Sequence, residues 1–287
     1  MKPQYTNQLL SSYLLYLDNK ILTRGEAYVT GVSTEFYPNS MLYNGYYTYS
    51  APHDQIIADS SITGANIMTG VYVNKTFIGT GQSGLYAIDY YNGRLYFSGE
   101  LPASTIISGT YSIKEYNIVM TTMPDEKILF ETKYSPKPKY TQTLSGLNSD
   151  ETPYPIIFVR SNTMTNEPFQ FGGTELSKDF IRLIIMSDSQ FSNDAINSIV
   201  RDTKNGYVPI FNEDEFPFNY LGTLKSGYNY TGITANKTSQ GNSAFVEDVF
   251  IAKFDSQEYS QQLREISNEV YSSIVDLTLT YPRSIVR

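Results

Sequence analysis

The stretch from Tyr154 to Leu221 constrains the fold most, because its periodicity changes from strand-like to helical and back. Two apolar runs, Tyr154–Arg160 and Ile181–Met186, predict buried strands. The next apolar residues are spaced for one face of a helix: Phe191, Ala195, Ile196, Ile199 and Val200. One unit therefore offers both an apolar sheet and a helix that covers it.

Local signals predict where this helix begins and ends. Ser187 with Gln190 three residues later is a capping-box pattern and predicts the helix start. Asn205-Gly206 predicts its end, since these residues accept a left-handed conformation. The segment Tyr207–Phe211 returns as an extended segment.

Residues 66–120 predict several short strands joined by tight turns. Asn92-Gly93 is a strong hairpin signal between the runs Leu85–Tyr91 and Arg94–Ser98. Asn74-Lys75 separates two further apolar runs, and Gly109 predicts a bulge. This region is therefore expected to form a small β-barrel or sandwich-like subdomain.

The N-terminal residues 5–18 have helical spacing of apolar side chains. Such a helix is apolar over more than half its circumference, so it must bury against its own domain or against a neighbour. The segment Thr23–Ser60 is irregular and Tyr-rich, which predicts short extended pieces and loops.

The predicted fold class is α+β: β-rich, with a mixed or antiparallel sheet flanked by helices. Four segments are expected: 1–65 with the helix and the Tyr-rich stretch, 66–133 as the β subdomain, 134–153 as a linker, and 154–287 as the sheet-helix domain. Further predictions are an extended Tyr134–Tyr140, a loop over Asn219–Ser243, strands over Ala244–Phe254 and Tyr271–Tyr281, and a short helix over Gln257–Asn268.

Composition narrows the class of protein. The 287 residues contain no cysteine, which excludes a disulfide framework and thiolate chemistry. The net charge of −8 argues against binding nucleic acid through its phosphates. No secretion signal and no apolar run long enough for a bilayer is present, so we expect a soluble, non-secreted protein. The 26 tyrosines suit protein contacts, or simply a Tyr-rich solvent face.

No motif predicts catalysis. The single histidine, His53, has only the adjacent Asp54 as a local partner. The sequence Gly79–Gly84 spells Gly-x-Gly-x-x-Gly, but an alternating run follows it instead of a helix, so we reject a nucleotide site. Acidic clusters lack the spacing of a calcium loop. We therefore predict no catalytic residue, no cofactor and no metal. A hydrolase with two distant carboxylates is the remaining enzymatic alternative.

Two segments resemble a known group. Both are similar to tailed-phage neck and tail-completion proteins of T4-like cyanophages. The first is Asp89–Phe97 with Gly109–Ser112. The second is the order Tyr154–Phe158, Pro168–Gly173, Ile181–Leu183, Ser187–Val200, Val208–Phe211. The resemblance implies a non-enzymatic virion protein, assembled in the host cytoplasm, that forms a hexameric or dodecameric ring around the DNA channel. Tail-terminator, adaptor and head-closure roles all fit. Its implied partners are copies of itself and other neck, tail or portal proteins, with DNA passing unbound and no membrane.

Subunit contacts in such a ring are expected at aromatic side chains, extended loops and termini. The candidates are Leu9, Tyr13, Tyr16, Tyr43, Tyr46, Tyr47, Tyr49, Pro136, Pro138, Tyr228 and Tyr230. The alternative is a carbohydrate- or receptor-binding β module of a tail fibre or baseplate, in which Tyr43, Tyr46, Tyr47 and Tyr49 stack on sugars.

Overall fold

The computed structural model describes residues 5–40, 42–131, 154–170, 174–219, 223–225, 227–237, 241–253 and 270–284. It is β-rich, with one sheet forming a nearly closed barrel and a second forming a half-barrel, both flanked by helices. The predicted fold class is confirmed. Pro136, Pro138 and the predicted helix Gln257–Asn268 lie outside the described residues.

The barrel is a seven-stranded sheet in which every strand pair is antiparallel. The strands follow the order β4-β3-β7-β1-β2-β6-β5. Residues on both sides of position 65 therefore contribute to the same sheet. The strands are β1 (Tyr28–Pro38), β2 (Tyr47–Ser50), β3 (Gly70–Val73), β4 (Thr76–Gly79), β5 (Leu85–Asp89), β6 (Arg94–Phe97) and β7 (Ile107–Lys114).

The half-barrel is a six-stranded sheet in the order β11-β12-β13-β10-β9-β8. All its pairs are antiparallel except β8 with β9, which run parallel. The hairpin of β9 and β10 is the longest in the described chain and pairs along nearly its whole length. The strands are β8 (Asn117–Met120), β9 (Ile156–Gln170), β10 (Thr174–Ser187), β11 (Tyr207–Pro209), β12 (Ser243–Lys253) and β13 (Tyr271–Ser284).

The described residues also form three α-helices and one π-helical turn: α1 (Tyr5–Gly25), α2 (Gln190–Arg201), α3 (Tyr230–Thr234) and the turn Lys127–Glu131. Helix α1 buries nine residues, which include polar Ser12 and Asn19. The Ser12 hydroxyl accepts the Phe211 N–H at 3.0 Å, and the Asn19 amide donates to the buried Asp59 carboxylate at 3.0 Å. The main core then joins α1, α2 and the inward faces of both sheets.

The outer face of the half-barrel carries a second, smaller core. A row of charged side chains lies beside it. The Asp125 carboxylate accepts hydrogen bonds from Arg160 at 2.5 Å and from Arg182 at 2.6 Å. Arg182 also forms a bidentate salt bridge with Asp276. Hydrogen bonding to Asp276, partly offset by burial, raises the pKa of Arg182 above its ordinary value. These pairs tie the chain segment before the π-helical turn to the sheet.

Helix α2 is confirmed, but three details of its prediction are wrong: its N-cap, its end and its buried face. The helix ends at Arg201, with Asp202 as its C-cap, before the predicted Asn205-Gly206. Its N-cap is Ser189, whose side chain accepts the Ser192 N–H; Ser187 instead ends β10, paired with Tyr271. Phe191, 84% exposed, and Ala195 both face solvent, although they were expected on the buried stripe. Asn193 and Asn197 take buried positions, because hydrogen bonds to Tyr271 and Ser273 satisfy their amides.

Three features of the N-terminal part of the chain differ from the prediction. Helix α1 extends to Gly25, and the segment expected to be irregular contains the eleven-residue β1. Gly109 is regularly paired with Thr34, and the bulge lies in β1 between Val29 and Val32. A Cβ on Gly109 would lie 3.0 Å from the Phe36 ring, so close packing explains this glycine.

Candidate functional site

A tight turn presents two tyrosines on the barrel surface. The Tyr43 N–H donates to the Tyr46 carbonyl at 3.0 Å, and the Tyr46 N–H donates back at 2.9 Å. The two residues between them, Asn44 and Gly45, have φ of 49° and 84°. This is the type I′ geometry that Asn-Gly favours, because both central residues need positive φ. The turn therefore fixes Tyr43 and Tyr46 side by side.

These two rings stack on two more from β5 and β6. Tyr46 lies 4.3 Å from Tyr86 and Tyr43 lies 5.4 Å from Tyr96 between ring centroids, each pair with planes 15° apart. Tyr46 also contacts Tyr96 at 6.4 Å. We call Tyr43, Tyr46, Tyr86 and Tyr96 the tyrosine ladder. Stacking of this kind contributes roughly 0.5–1.5 kcal/mol per pair beyond area burial.

A buried carboxylate anchors the inner end of the ladder. The Tyr96 hydroxyl donates to Asp89 at 2.9 Å, and both residues are almost fully buried. Asp89 also accepts from the backbone N–H groups of Tyr91 and Asn92 and from the Asn92 amide. Burial first, and the Asp89 charge second, raise the pKa of Tyr96 well above its ordinary value. The Tyr96 hydroxyl therefore remains a donor at any physiological pH.

The outer end of the ladder is open to solvent. Tyr86 is 45% exposed and Tyr43 39%, and the neighbouring Leu42 is 57% exposed. Rigid tyrosines of this kind combine an apolar face with a polar tip, which suits contact with a protein partner or with a sugar ring. The ladder is thus a preorganised contact surface.

The predicted contact residues divide into three groups. Tyr43 and Tyr46 belong to the ladder, and Tyr47 next to it on β2 is half-buried. Six others are buried and have almost no exposed surface to offer, because they pack inside the chain's own core: Leu9, Tyr13, Tyr16, Tyr49, Tyr228 and Tyr230. This corrects the expectation for those six. Pro136 and Pro138 are outside the described residues.

Two members of the ladder, Tyr86 and Tyr96, were not predicted. Tyr86 alternates outward between the buried Leu85 and Ala87 of β5, a pattern that is visible in the sequence. Tyr96 is opposite Thr48 of β2 and Ala87 of β5, so its neighbours are known only once the strands are paired. A local sequence pattern therefore indicates that Tyr86 is exposed, but it does not indicate the position of Tyr96.

The residues considered for catalysis take part in a turn, a ring contact and an ion pair. Gly81 and Gly84 of the glycine motif have φ of 84° and 88° in the turn before β5, the strand predicted to follow them. The His53 ring lies 6.5 Å from the ring of Tyr111. The Glu215 carboxylate accepts from the buried Lys237 at 2.6 Å. Within the residues described, no three acidic or histidine side chains gather closely enough to hold a metal ion.

Two comparisons with known proteins found no match. The chain matches no protein-family model, and no curated protein is significantly similar to it. None of the described helices combines the length and the apolar character needed to cross a membrane.

Proposed function

We propose that this chain is a non-enzymatic structural subunit of a tailed-phage particle, forming an oligomeric ring in the neck around the DNA channel. The outer end of the tyrosine ladder carries the proposal, because Tyr43 and Tyr86 present a rigid aromatic surface to solvent. The placement in a phage neck rests on the resemblance of the segments around Asp89–Phe97 and Tyr154–Phe211. The partners proposed are copies of the chain and adjoining neck, tail or portal proteins.

Aromatic side chains are the residues that interfaces favour at their centres. Tyrosine and tryptophan dominate interface energetics, and truncating a central one costs roughly 2 kcal/mol or more of binding free energy. The ladder is already ordered by its I′ turn and by Asp89, so little conformational entropy is lost when a partner covers it. The net charge of −8 supports a channel that DNA passes without adhering.

The experiment compares assembly of the wild-type chain with a Tyr46→Ala/Tyr86→Ala variant by mass photometry and negative-stain microscopy. We expect ring-sized particles of the wild type and loss of roughly tenfold or more in assembly affinity for the variant, equivalent to about 1.4 kcal/mol. Tyr207→Ala is the matched control, since Tyr207 is 52% exposed on the half-barrel, far from the ladder in sequence. Equal assembly by all three proteins would show that the ladder is not a subunit contact.

The second candidate, a carbohydrate- or receptor-binding module, is favoured by one observation: exposed tyrosine faces lie beside polar groups of the Asn44-Gly45 turn. A glycan array distinguishes the two. Specific hits that disappear with Tyr46→Ala/Tyr86→Ala, in a chain that stays monomeric, would favour sugar binding over the ring.

A further inference from the structure

Among the residues that the structure describes, the outer half of β9 is an open sheet edge. Strand β8 pairs only with Ile156–Val159, and the Thr121 N–H adds one bond to the Val159 carbonyl. From Arg160 onward, no other strand among the described residues pairs with that side of β9, while β10 occupies its other side. Residues 162–168 are all exposed. An edge of this length presents backbone donors and acceptors to any strand that can align with it.

The opposite side of the same sheet is protected. Beyond its pairing with β11, the exposed part of β12 has its Val249 N–H capped by the Asp248 carboxylate at 2.9 Å. The same carboxylate pairs with Lys204 at 2.7 Å. Charged side chains placed on an edge discourage pairing with another strand. Of the two sides, β9 is the one with an uncharged stretch, Asn162–Asn166, that suits a partner strand.

The sequence of the open edge is self-complementary. Asn162-Thr163-Met164-Thr165-Asn166 reads the same in both directions around Met164. In an antiparallel pair of two such strands, Met164 is opposite its own copy and Thr163 is opposite Thr165. Threonine pairs across antiparallel strands are favourable, and no like charges meet within these five residues. A two-fold contact requires this kind of self-matching surface.

A bulge modifies this edge without closing it. The pairing of β9 with β10 shifts between Met164, opposite Asp179, and Ser161, opposite Ile181. Asn162 and Thr163 therefore share one partner position on β10. Bulges increase local twist, and the regular ladder resumes at Met164, where the two-fold axis of the pair would pass. Thr163 and Thr165 are the nearest cross-strand pair on either side of that axis.

We propose that two copies of this chain pair edge to edge through β9, antiparallel about Met164, and so join their half-barrels into one continuous sheet. Strand pairing of this kind gains main-chain hydrogen bonds together with side-chain specificity. The contact is two-fold, unlike the head-to-tail contacts of a cyclic ring, and it does not depend on the phage placement. A single strand edge is a small interface, so we expect dimerisation to depend on concentration.

Introduced cysteines test the contact, because the chain has no cysteine of its own that could form a competing disulfide. Directly opposed residues of an antiparallel pair have Cα atoms roughly 4.5–5.5 Å apart, within disulfide reach. In a glutathione redox buffer, Met164→Cys is expected to form disulfide dimers at least about tenfold faster than Met120→Cys, because pairing raises the effective thiol concentration. Met120, 47% exposed on β8, is the matched control for the 59% exposed Met164.

A second variant tests the edge without cysteine chemistry. Thr163→Lys/Thr165→Lys places lysines directly opposite each other in the proposed pair, and should abolish the dimer in native mass spectrometry with an unchanged circular dichroism spectrum. Equal cross-linking of Met164→Cys and Met120→Cys would overturn the proposal, as would a dimer that survives the two lysines. A ring that assembles while Met164→Cys fails to cross-link would remove the edge contact and leave the ring proposal standing.

Discussion

Replacing Tyr13 with phenylalanine removes a hydroxyl that has no hydrogen-bond partner among the described residues and is fully buried in helix α1. Burial raises the pKa of Tyr13, with a smaller contribution from Tyr16, so the hydroxyl is neutral at any usable pH. A buried, unpaired polar group costs roughly 1–3 kcal/mol of stability. Tyr13→Phe keeps the ring and its packing, so we expect the free energy of unfolding to increase by about 1–2 kcal/mol.

Tyr116→Phe is the matched substitution with the opposite expected sign. The Tyr116 hydroxyl is buried and donates to the Asp18 carboxylate of α1 at 2.7 Å. Removing a hydrogen bond to a charged acceptor costs roughly 1.5–3 kcal/mol. Lys114 also pairs with Asp18 at 2.7 Å and still neutralises it, so the lower end of that range is expected. The two variants should differ by about 3 kcal/mol.

Urea denaturation followed by far-ultraviolet circular dichroism measures both changes as shifts in transition midpoint at constant slope. The prediction is a higher midpoint for Tyr13→Phe and a lower one for Tyr116→Phe. A destabilised Tyr13→Phe would refute the reasoning, because the hydroxyl would then have a partner outside the described chain.

Two further predictions concern a glycine and the half-buried ion pair of Glu215 with Lys237. Gly93→Ala should destabilise the fold by about 2 kcal/mol more than Gly45→Ala. Both glycines have positive φ, but only at Gly93 would a Cβ collide with a backbone carbonyl, the one of His53. Thermal unfolding of both variants measures the difference. Burial raises the pKa of Glu215, but hydrogen bonds from Lys237 and the Asn212 N–H outweigh it and lower the pKa below 4.5. The stability that comes from this depressed pKa is present above pH 4.5 and is lost as the pH falls through the folded-state pKa. The Glu215→Gln variant should therefore lose less stability than the wild type between pH 7 and pH 3. Urea midpoints at the two pH values measure the difference.

Much of the fold follows from local patterns in the sequence. Alternation identified β5 and β13, the hairpin signal identified β6, and a buried apolar run identified the start of β9. The hairpin between β5 and β6 is confirmed, but its turn spans the four residues 90–93, because β5 ends at Asp89, opposite Arg94. Asn74 and Lys75, read as a separator, have φ of 48° and 69° and form the turn between β3 and β4. These signals depend on neighbours in the chain, which is why they could be recognised.

The errors occur where distant residues decide the outcome. Ser187 carries a capping pattern, but pairing with Tyr271 extends β10 through it and moves the cap to Ser189. Asn193 and Asn197 face the sheet although a hydrophobicity pattern assigns them to solvent. In β1, the bulge near Gly31 breaks the alternation by which a strand is recognised.

The candidate site was only half visible in the sequence for the same reason. The second Asn-Gly pair, Asn44-Gly45, predicts the turn that orders Tyr43 and Tyr46, by the rule already applied to Asn92-Gly93. Tyr96 joins them through strand pairing and through the buried Asp89, which no local pattern shows. Tyr13, Tyr228 and Tyr230 were expected at a subunit contact because tyrosine suits interfaces, yet they fill the core.

The mass of the purified wild-type chain in solution tests the central claim most directly. Native mass spectrometry across a range of concentrations should show a species of six or twelve copies of the 32.5 kDa chain, with ring-shaped particles in negative stain. A population that remains monomeric at every concentration, or that stops at a dimer, would contradict the ring.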